Sequence, residues 1–401
     1  MVKRLAIILL TMAAAFPAAA QFSGDGYYRV YNRYTMRYIY VYDATGSINV
    51  AKASADMGAI QSRLNIETAY TDPASIIYIK QVDAANEKYD LKAQGTGVHD
   101  MINHYVHAHN WGTNSYTVSA TEEGYTVYLY DAVTSKRREN SFLRTAAADQ
   151  KILNDDDVDV TKNIERWAII PINQTDNYIA VKPSLSCGGK YYAAYYADYP
   201  FTSGMKAYYI SQVDAKMGVA VMKEITGTVP AATPVILEAT SSEAVNNKLS
   251  LQATSPQKPA DNVLAGNYFA FEDRQESKVA RTVYNASTMR MLGVTSTGKL
   301  GFVTATSDML KSLYSVAIED YQLCLPANIS YLKVAAGTPA ELTIMTEAEY
   351  NEIIAGITGV QADEPVVQSY YSISGVELSA PAKGVNIVKY SDGTTRKMIM
   401  K

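Results

Sequence analysis

The sequence predicts a mostly β protein, and three observations carry that expectation. Short runs alternate with period two, as where Tyr38, Tyr40 and Tyr42 interleave with Ile39 and Val41, the spacing that puts side chains on opposite faces of a strand. Clusters of Asp, Gly and Asn separate such runs at 43–46, 83–86 and 122–124, where tight turns need them. The aromatic content is 32 Tyr against 7 Phe and 2 Trp. Tyrosine joins a β-favouring ring to a polar tip, so half-exposed strands with wet faces are expected. With 401 residues, 48% hydrophobic and 19% charged, the chain has the composition of a folded protein with two or three cores, not of a disordered tail or a multi-pass membrane protein. The net charge of −4 at pH 7 gives no reason to expect a nucleic-acid partner.

Taken in order, residues 1–20 read as a secretory signal peptide. Lys3 and Arg4 precede an apolar run, and Ala18, Ala19 and Ala20 fit the small-residue cleavage rule, so the mature chain is expected to begin at Gln21. The run is short for a membrane span, and no later run approaches spanning length. Export places the protein outside the cytoplasm, where Cys187 and Cys324 either pair or stay as buried thiols. All four histidines fall within 99–109, far in sequence from both cysteines, which argues against a Cys nucleophile.

Residues 21–174 form the first expected domain. Strands are predicted over 26–32, 37–42, 75–82, 89–93, 125–130 and 141–145, in three loosely similar units of about fifty residues, the mark of an internal threefold repeat. Trp167 and Ile169 close it on one strand face. The second expected domain, 175–345, carries strands at 178–181, 191–196, 206–213, 219–225 and 235–238, the last entered through the turn-rich stretch 228–234. After it, Thr346 as N-cap with Glu347 and Glu349 in the first turn predicts one helix. Residues 355–367 have linker composition, and 369–401 form a small strand-rich tail.

Several of these stretches resemble known families. The opening Gly26-Tyr27-Tyr28-Arg29-Val30-x-Asn32, the strand Arg37-Tyr38-Ile39-x-Val41 and the closing Trp167-x-Ile169-x-Pro171 resemble the ricin-type β-trefoil, although an irregular sandwich or barrel would share the strand spacing. Tyr199-Pro200-Phe201, Gly204-Met205-Lys206-Ala207-Tyr208, Pro230-Ala231-x-Thr233-Pro234-Val235-Ile236-Leu237 and Leu325-Pro326-Ala327-Asn328 resemble an accessory β-domain of surface proteins from bacteria with type IX secretion. Tyr371-Ser372-Ile373-Ser374-Gly375 and Pro381-x-Lys383-Gly384-Val385-x-Ile387-Val388 resemble the sorting domain of type IX substrates. The resemblance implies a β-trefoil-like domain, a β-sandwich-like domain and a small C-terminal β tail read by export machinery. It places the chain extracellularly or on the outer cell surface, or in the periplasm if the tail is no sorting signal.

The local chemistry points to no reaction. There is no G-x-S-x-G, Walker A or dinucleotide-binding glycine pattern, so no catalytic residue, cofactor or metal is assigned. His104, His107 and His109, followed by Trp111, are the candidate ligand-binding residues; their spacing matches no named metal motif. Asp155, Asp156, Asp157 and Asp159 lack the Gly and Glu positions of a calcium loop and read as a solvated turn. The expected function is therefore a secreted or cell-surface, non-catalytic binding protein whose ligand is a glycan. The alternatives are a scaffold or adhesin component contacting another surface protein and, more distantly, a secreted hydrolase without a recognisable motif.

Overall fold

The computed structural model describes residues 22, 24–33, 36–41, 60–64, 66–95, 115–121, 124–131, 136–145, 152–155, 166–268, 282–313, 325–359 and 366–401. These are mostly β, as expected. Described residues up to Ile344 form one compact unit and those from Met345 a second.

The first unit opens with β1 (Gly26–Asn32), β2 (Arg37–Val41), β3 (Ile60–Leu64), the one-turn α1 (Ile66–Ala69), β4 (Ile77–Asp83), β5 (Lys88–Ala93), β6 (Ser115–Thr121), β7 (Gly124–Asp131), β8 (Lys136–Thr145), β9 (Ile152–Asp155) and β10 (Trp167–Pro171). Strand β10 pairs with β1 across five residues, from Tyr28 opposite Pro171 to Asn32 opposite Trp167, and meets β7 at Tyr125. The run β1-β4-β5-β6-β7-β10 thereby closes into a ring of six antiparallel strands. The hairpins β2–β3 and β8–β9 hang from it. Closure removes the open edges that a flat sheet would expose.

The rest of this unit holds β11 (Ile179–Ala180), β12 (Leu185–Cys187), β13 (Lys190–Tyr195), β14 (Phe201–Ser203), β15 (Lys206–Asp214), β16 (Val219–Ile225), β17 (Val235–Ala239), β18 (Lys248–Leu251), β19 (Leu264–Asn267), β20 (Met289–Val294), β21 (Leu300–Val303), α2 (Ser307–Ser312), β22 (Ile329–Lys333) and β23 (Glu341–Thr346). Ten of these strands form one sheet in the order β12-β13-β17-β15-β16-β23-β21-β20-β22-β19. That order is mirrored about β23. On each side a first strand (β13 or β19) is followed in sequence by a hairpin (β15–β16 or β20–β21), and a return strand (β17 or β22) then inserts between them. Both return strands follow a Pro-Ala-x step whose third residue is left-handed, Ala232 at φ 50° and Asn328 at φ 57°. The sheet is an internal structural duplication.

Alternation along β17 sends Val235 and Leu237 to one core and Ile236 to another. The first core also draws Ile179, Phe201 and Leu249 from the small sheet β11-β18-β14, and Tyr27 and Ile76 from the ring end of the molecule. The second joins Tyr208, Ile210 and Ile236 of one repeat to Leu264, Leu292, Phe302 and Leu332 of the other. Because the first core takes residues from both sides of position 174, the ring and the duplicated sheet share apolar interior.

Tyrosine lies half-exposed on some strands, as expected, but does a second kind of work in the interior. Twelve tyrosines are buried: Tyr27, Tyr28, Tyr38, Tyr192, Tyr195, Tyr196, Tyr199, Tyr208, Tyr209, Tyr268, Tyr284 and Tyr331. Others, such as Tyr78, Tyr89 and Tyr191, are half-buried. Burial is tolerable where the hydroxyls find partners inside, as several do, although the Tyr27 hydroxyl has none among the described residues. Tyr28 donates to the Gly24 carbonyl at 2.8 Å, the Tyr195 and Tyr199 hydroxyls share a 2.6 Å bond, and Tyr268 donates to the Ala93 carbonyl at 2.8 Å.

A buried polar joint ties the end of β5 to the duplicated sheet. Asn328 Nδ2 donates to Gln94 Oε1 and to the Tyr196 carbonyl, both at 3.0 Å, and the Tyr196 amide donates to the Asn328 carbonyl at 3.1 Å. Gln94 is fully buried and itself left-handed, with φ 58°. A Cβ on Gly95 would overlap the Asp198 carbonyl, so only glycine lets the two backbones approach here. Asn328→Ala should cost about 2 kcal/mol, since it leaves Gln94 Oε1 with only the longer 3.4 Å bond from the Asp198 amide, removes the side-chain donor to the Tyr196 carbonyl and puts a Cβ-only residue at positive φ. Equilibrium denaturation of the variant checks this.

The second unit begins with α3 (Glu347–Gly359). Its N-terminus is a capping box: Thr346 Oγ1 accepts from the Glu349 amide at 3.2 Å while Glu349 Oε2 accepts from the Thr346 amide at 2.8 Å. The helix runs five residues into the stretch expected as linker from 355, because Ala355 and Ile357 continue it and Gly356 costs only about 1 kcal/mol. Four strands follow, β24 (Val367–Ser372), β25 (Glu377–Leu378), β26 (Gly384–Tyr390) and β27 (Thr395–Met400), in the order β25-β24-β26-β27.

Candidate functional site

The residues singled out from sequence mostly fall outside the described part. His104, His107, His109 and Trp111 lie between β5 and β6, outside the described residues. So do Ala20, Gln21, Cys324 and Asp156, Asp157 and Asp159. Cys187 ends β12 as a half-buried free thiol with its Sγ 3.6 Å from the Gly298 carbonyl oxygen. Asp155 ends β9.

The described surface carries an open cleft of about 450 Å³ lined by Ile225, Thr226, Thr228, Pro230, Thr254, Ser255, Pro256, Gln257 and Pro259. Two chain segments build it. The first leaves β16 at Ile225 and turns at Gly227, whose φ of 81° needs glycine. It is then held to β14 by reciprocal bonds between Phe201 and Val229, at 3.1 and 2.8 Å. The second follows β18. Ser255 Oγ accepts from the Ala231 amide at 2.9 Å, so the two walls are joined at the cleft floor. Prolines 230, 256 and 259 restrict φ on both walls and limit the entropy lost when a ligand orders them.

The lining bears three threonine hydroxyls, one serine hydroxyl and one primary amide, and no ionisable side chain. Such a lining can offer paired donors and acceptors to a neutral polar ligand. The flank is ionic. Lys223 Nζ sits 3.2 Å from Asp261 Oδ2. Burial raises the Asp261 carboxyl, but hydrogen bonds from Tyr209 and Lys223 outweigh it and hold the group below its ordinary range. Asn262 Nδ2 donates to the Pro234 carbonyl at 2.9 Å and anchors the end of this second wall.

Two half-exposed aromatic groups are occupied by each other. Tyr70 and Tyr178 stack at 4.2 Å and 7°, and Lys248 Nζ lies 4.2 Å from the Tyr178 ring centre. Tyr178 therefore has a neighbour on its stacked face and a cation over its ring, an arrangement that joins the α1 region to the β10–β11 connection. Among the described residues no group of three or more His, Cys, Asp or Glu is placed to hold a metal ion, and no helix is long and apolar enough to cross a membrane.

Sequence reasoning read 228–234 only as a turn. Its Thr and Pro content is ordinary turn chemistry, and the one signal that marked the cleft was the density of prolines on two segments that sequence alone does not bring together. Compared with protein-family models the chain matches none, and no curated protein matches it.

Proposed function

We propose that the chain is a secreted, surface-displayed binding protein without catalytic activity, and that its ligand is a glycan held in the cleft between 225–230 and 254–259. The observation that carries this reading is the uncharged, hydroxyl- and amide-bearing lining of that cleft, which suits the many neutral donors and acceptors of a sugar. In this reading β1–β10 are a β-trefoil-like domain. The closed six-strand ring with hairpins hanging from it supports that assignment. The β-sandwich-like reading of the second domain rests on the small sheet packed over the duplicated one. Export rests on the signal-like residues 1–20, and display on the sorting-like tail, which forms its own compact unit with α3.

A glycan array probed with the mature chain tests the reading. Binding is expected, and a Thr226→Val, Gln257→Ala double variant should weaken it about tenfold to thirtyfold, as two hydrogen bonds of about 1 kcal/mol each are lost. No glycan binding, together with capture of a defined surface protein, favours the second reading of a scaffold or adhesin component. One observation supports that reading: twelve of the described tyrosines, which would otherwise be free to stack on sugars, are core residues.

A further inference from the structure

The four-stranded sheet of the second unit is a single layer with two unlike faces. Its register puts Tyr370, Val388 and Arg396 in one row and Ser372, Asn386 and Met398 in the next, all on one face. That face is covered at its centre. Val388 and Asn386 are each 1% exposed, and Asn386 accepts from the Ala382 amide at 3.0 Å while donating to the Ala382 carbonyl at 2.6 Å, so the β25–β26 connection is laid across it.

The opposite face carries Tyr371, Ile387 and Lys397 in one row, Ser369, Lys389 and Thr395 in another, and the pair Val385 and Ile399. Among the described residues of this unit nothing comparable covers it. Ile399 is 67% exposed, and Tyr371, Val385 and Ile387 are only half-buried. The same small unit also exposes Val366, Val367, Ile373, Val376 and Met400. Charge separates as well. Residues 366–401 hold Lys383, Lys389, Arg396, Lys397 and Lys401 against Glu377 and Asp392, although the whole chain carries −4. Glu377, opposite Tyr371, is the acid on the open face.

We propose that this face docks on an anionic phospholipid surface. An apolar centre of Val385, Ile387 and Ile399 beside Tyr371 enters the headgroup boundary, where a tyrosine ring has both an apolar and a polar side to satisfy. Lys389 and Lys397 lay their apolar stems along that centre and carry their ammonium groups to lipid phosphates. An open sheet face needs no shape-complementary partner, and although α3 brings Glu347, Glu349 and Glu352 to the same unit, residues 366–401 themselves carry five cations against two acids and supply the charge match. The proposal is independent of the cleft and of the glycan reading.

Co-sedimentation of the mature full-length chain tests it, with vesicles of phosphatidylcholine alone and of phosphatidylcholine mixed equally with phosphatidylglycerol. The expected result is binding to the mixed vesicles only, weakened by high salt as the Debye length shrinks. Both Lys389→Glu with Lys397→Glu, and Ile399→Asp, should reduce it about tenfold or more, while Lys389→Arg with Lys397→Arg retains it. All these positions lie on the open face, and unchanged melting temperatures establish that the variants fold. No binding to the mixed vesicles, equal binding to phosphatidylcholine, or variants that bind like the parent would each overturn the proposal. So would a chain that is dimeric in solution and becomes monomeric with Ile399→Asp, which would assign the face to a second copy instead.

Discussion

Raising the pH to about 11 should unfold the first unit, with tyrosine ionisation and loss of β-structure occurring in a single transition. Burial raises the hydroxyls of Tyr27, Tyr195, Tyr196, Tyr199 and Tyr268 well above the ordinary value of 10.0, with the charge of Asp198 adding to the effect at Tyr27, Tyr196 and Tyr268. Below about pH 10 the tyrosines are neutral in folded and unfolded chains alike, and their contribution is complete. Above it the unfolded chain releases protons that the folded chain retains, so stability falls as pH rises. Each buried tyrosine costs about 1.4 kcal/mol per pH unit, and five cost about 7 kcal/mol by about pH 11, comparable with the whole stability of an ordinary domain. Arg29 acts in the opposite direction, since burial lowers its guanidinium to about 10 and the cost of burying the charge is relieved at higher pH. One group does not offset five. Tyrosinate absorbance and far-UV circular dichroism followed along one alkaline titration check this; tyrosines that titrate near pH 10 without unfolding would contradict the packing.

Arg29→Met should destabilise the first unit by about 3 kcal/mol, measured by denaturant unfolding. The guanidinium is fully buried. Its Nε donates to Ser75 Oγ at 3.0 Å, Nη1 to Asn177 Oδ1 at 2.7 Å and Nη2 to the Ala69 carbonyl at 2.5 Å. Three segments distant in sequence are thereby held by one side chain. Methionine fills much of the volume and removes a costly buried charge, which lowers the penalty. It also leaves Asn177 Oδ1 and part of the capacity of Ala69 and Ser75 unsatisfied in a site closed to water, at about 1–3 kcal/mol per group. Arg29→Lys should recover only part of the loss, because one ammonium cannot match three acceptors arranged around a planar fork. A methionine variant as stable as the parent would show that the three segments are held by apolar packing alone.

Much of the local structure was legible before any coordinates. Tyr38 and Ile39 alternate, and β2 is there; Thr346 and Glu349 have capping-box spacing, and α3 starts between them. The extended stretches of the second domain map onto β13, β15, β16 and β17 to within a residue or two. Each of these depends on neighbours a few positions away, and period-two spacing, cap chemistry and turn residues act at that range.

What the sequence by itself determined is therefore the β class, the places of under half of the strands and the capped helix. The tertiary structure alone decided that β10 closes the ring on β1 and β7, and that the second sheet is a duplication mirrored about β23. It also decided that Asn328 meets Gln94 across 234 positions of sequence separation, and that the 225–230 and 254–259 segments face each other across a cleft. It also divided the tyrosines, sending twelve of the described ones into the interior and leaving others half-exposed on strands as expected. Alternation says which residues share a face, but whether that face is wet depends on what folds onto it, and an amphipathic ring accepts either outcome. Strand order, closure and cleft geometry are set by contacts between residues far apart in the chain, and a local pattern carries no information about which distant partner will satisfy it.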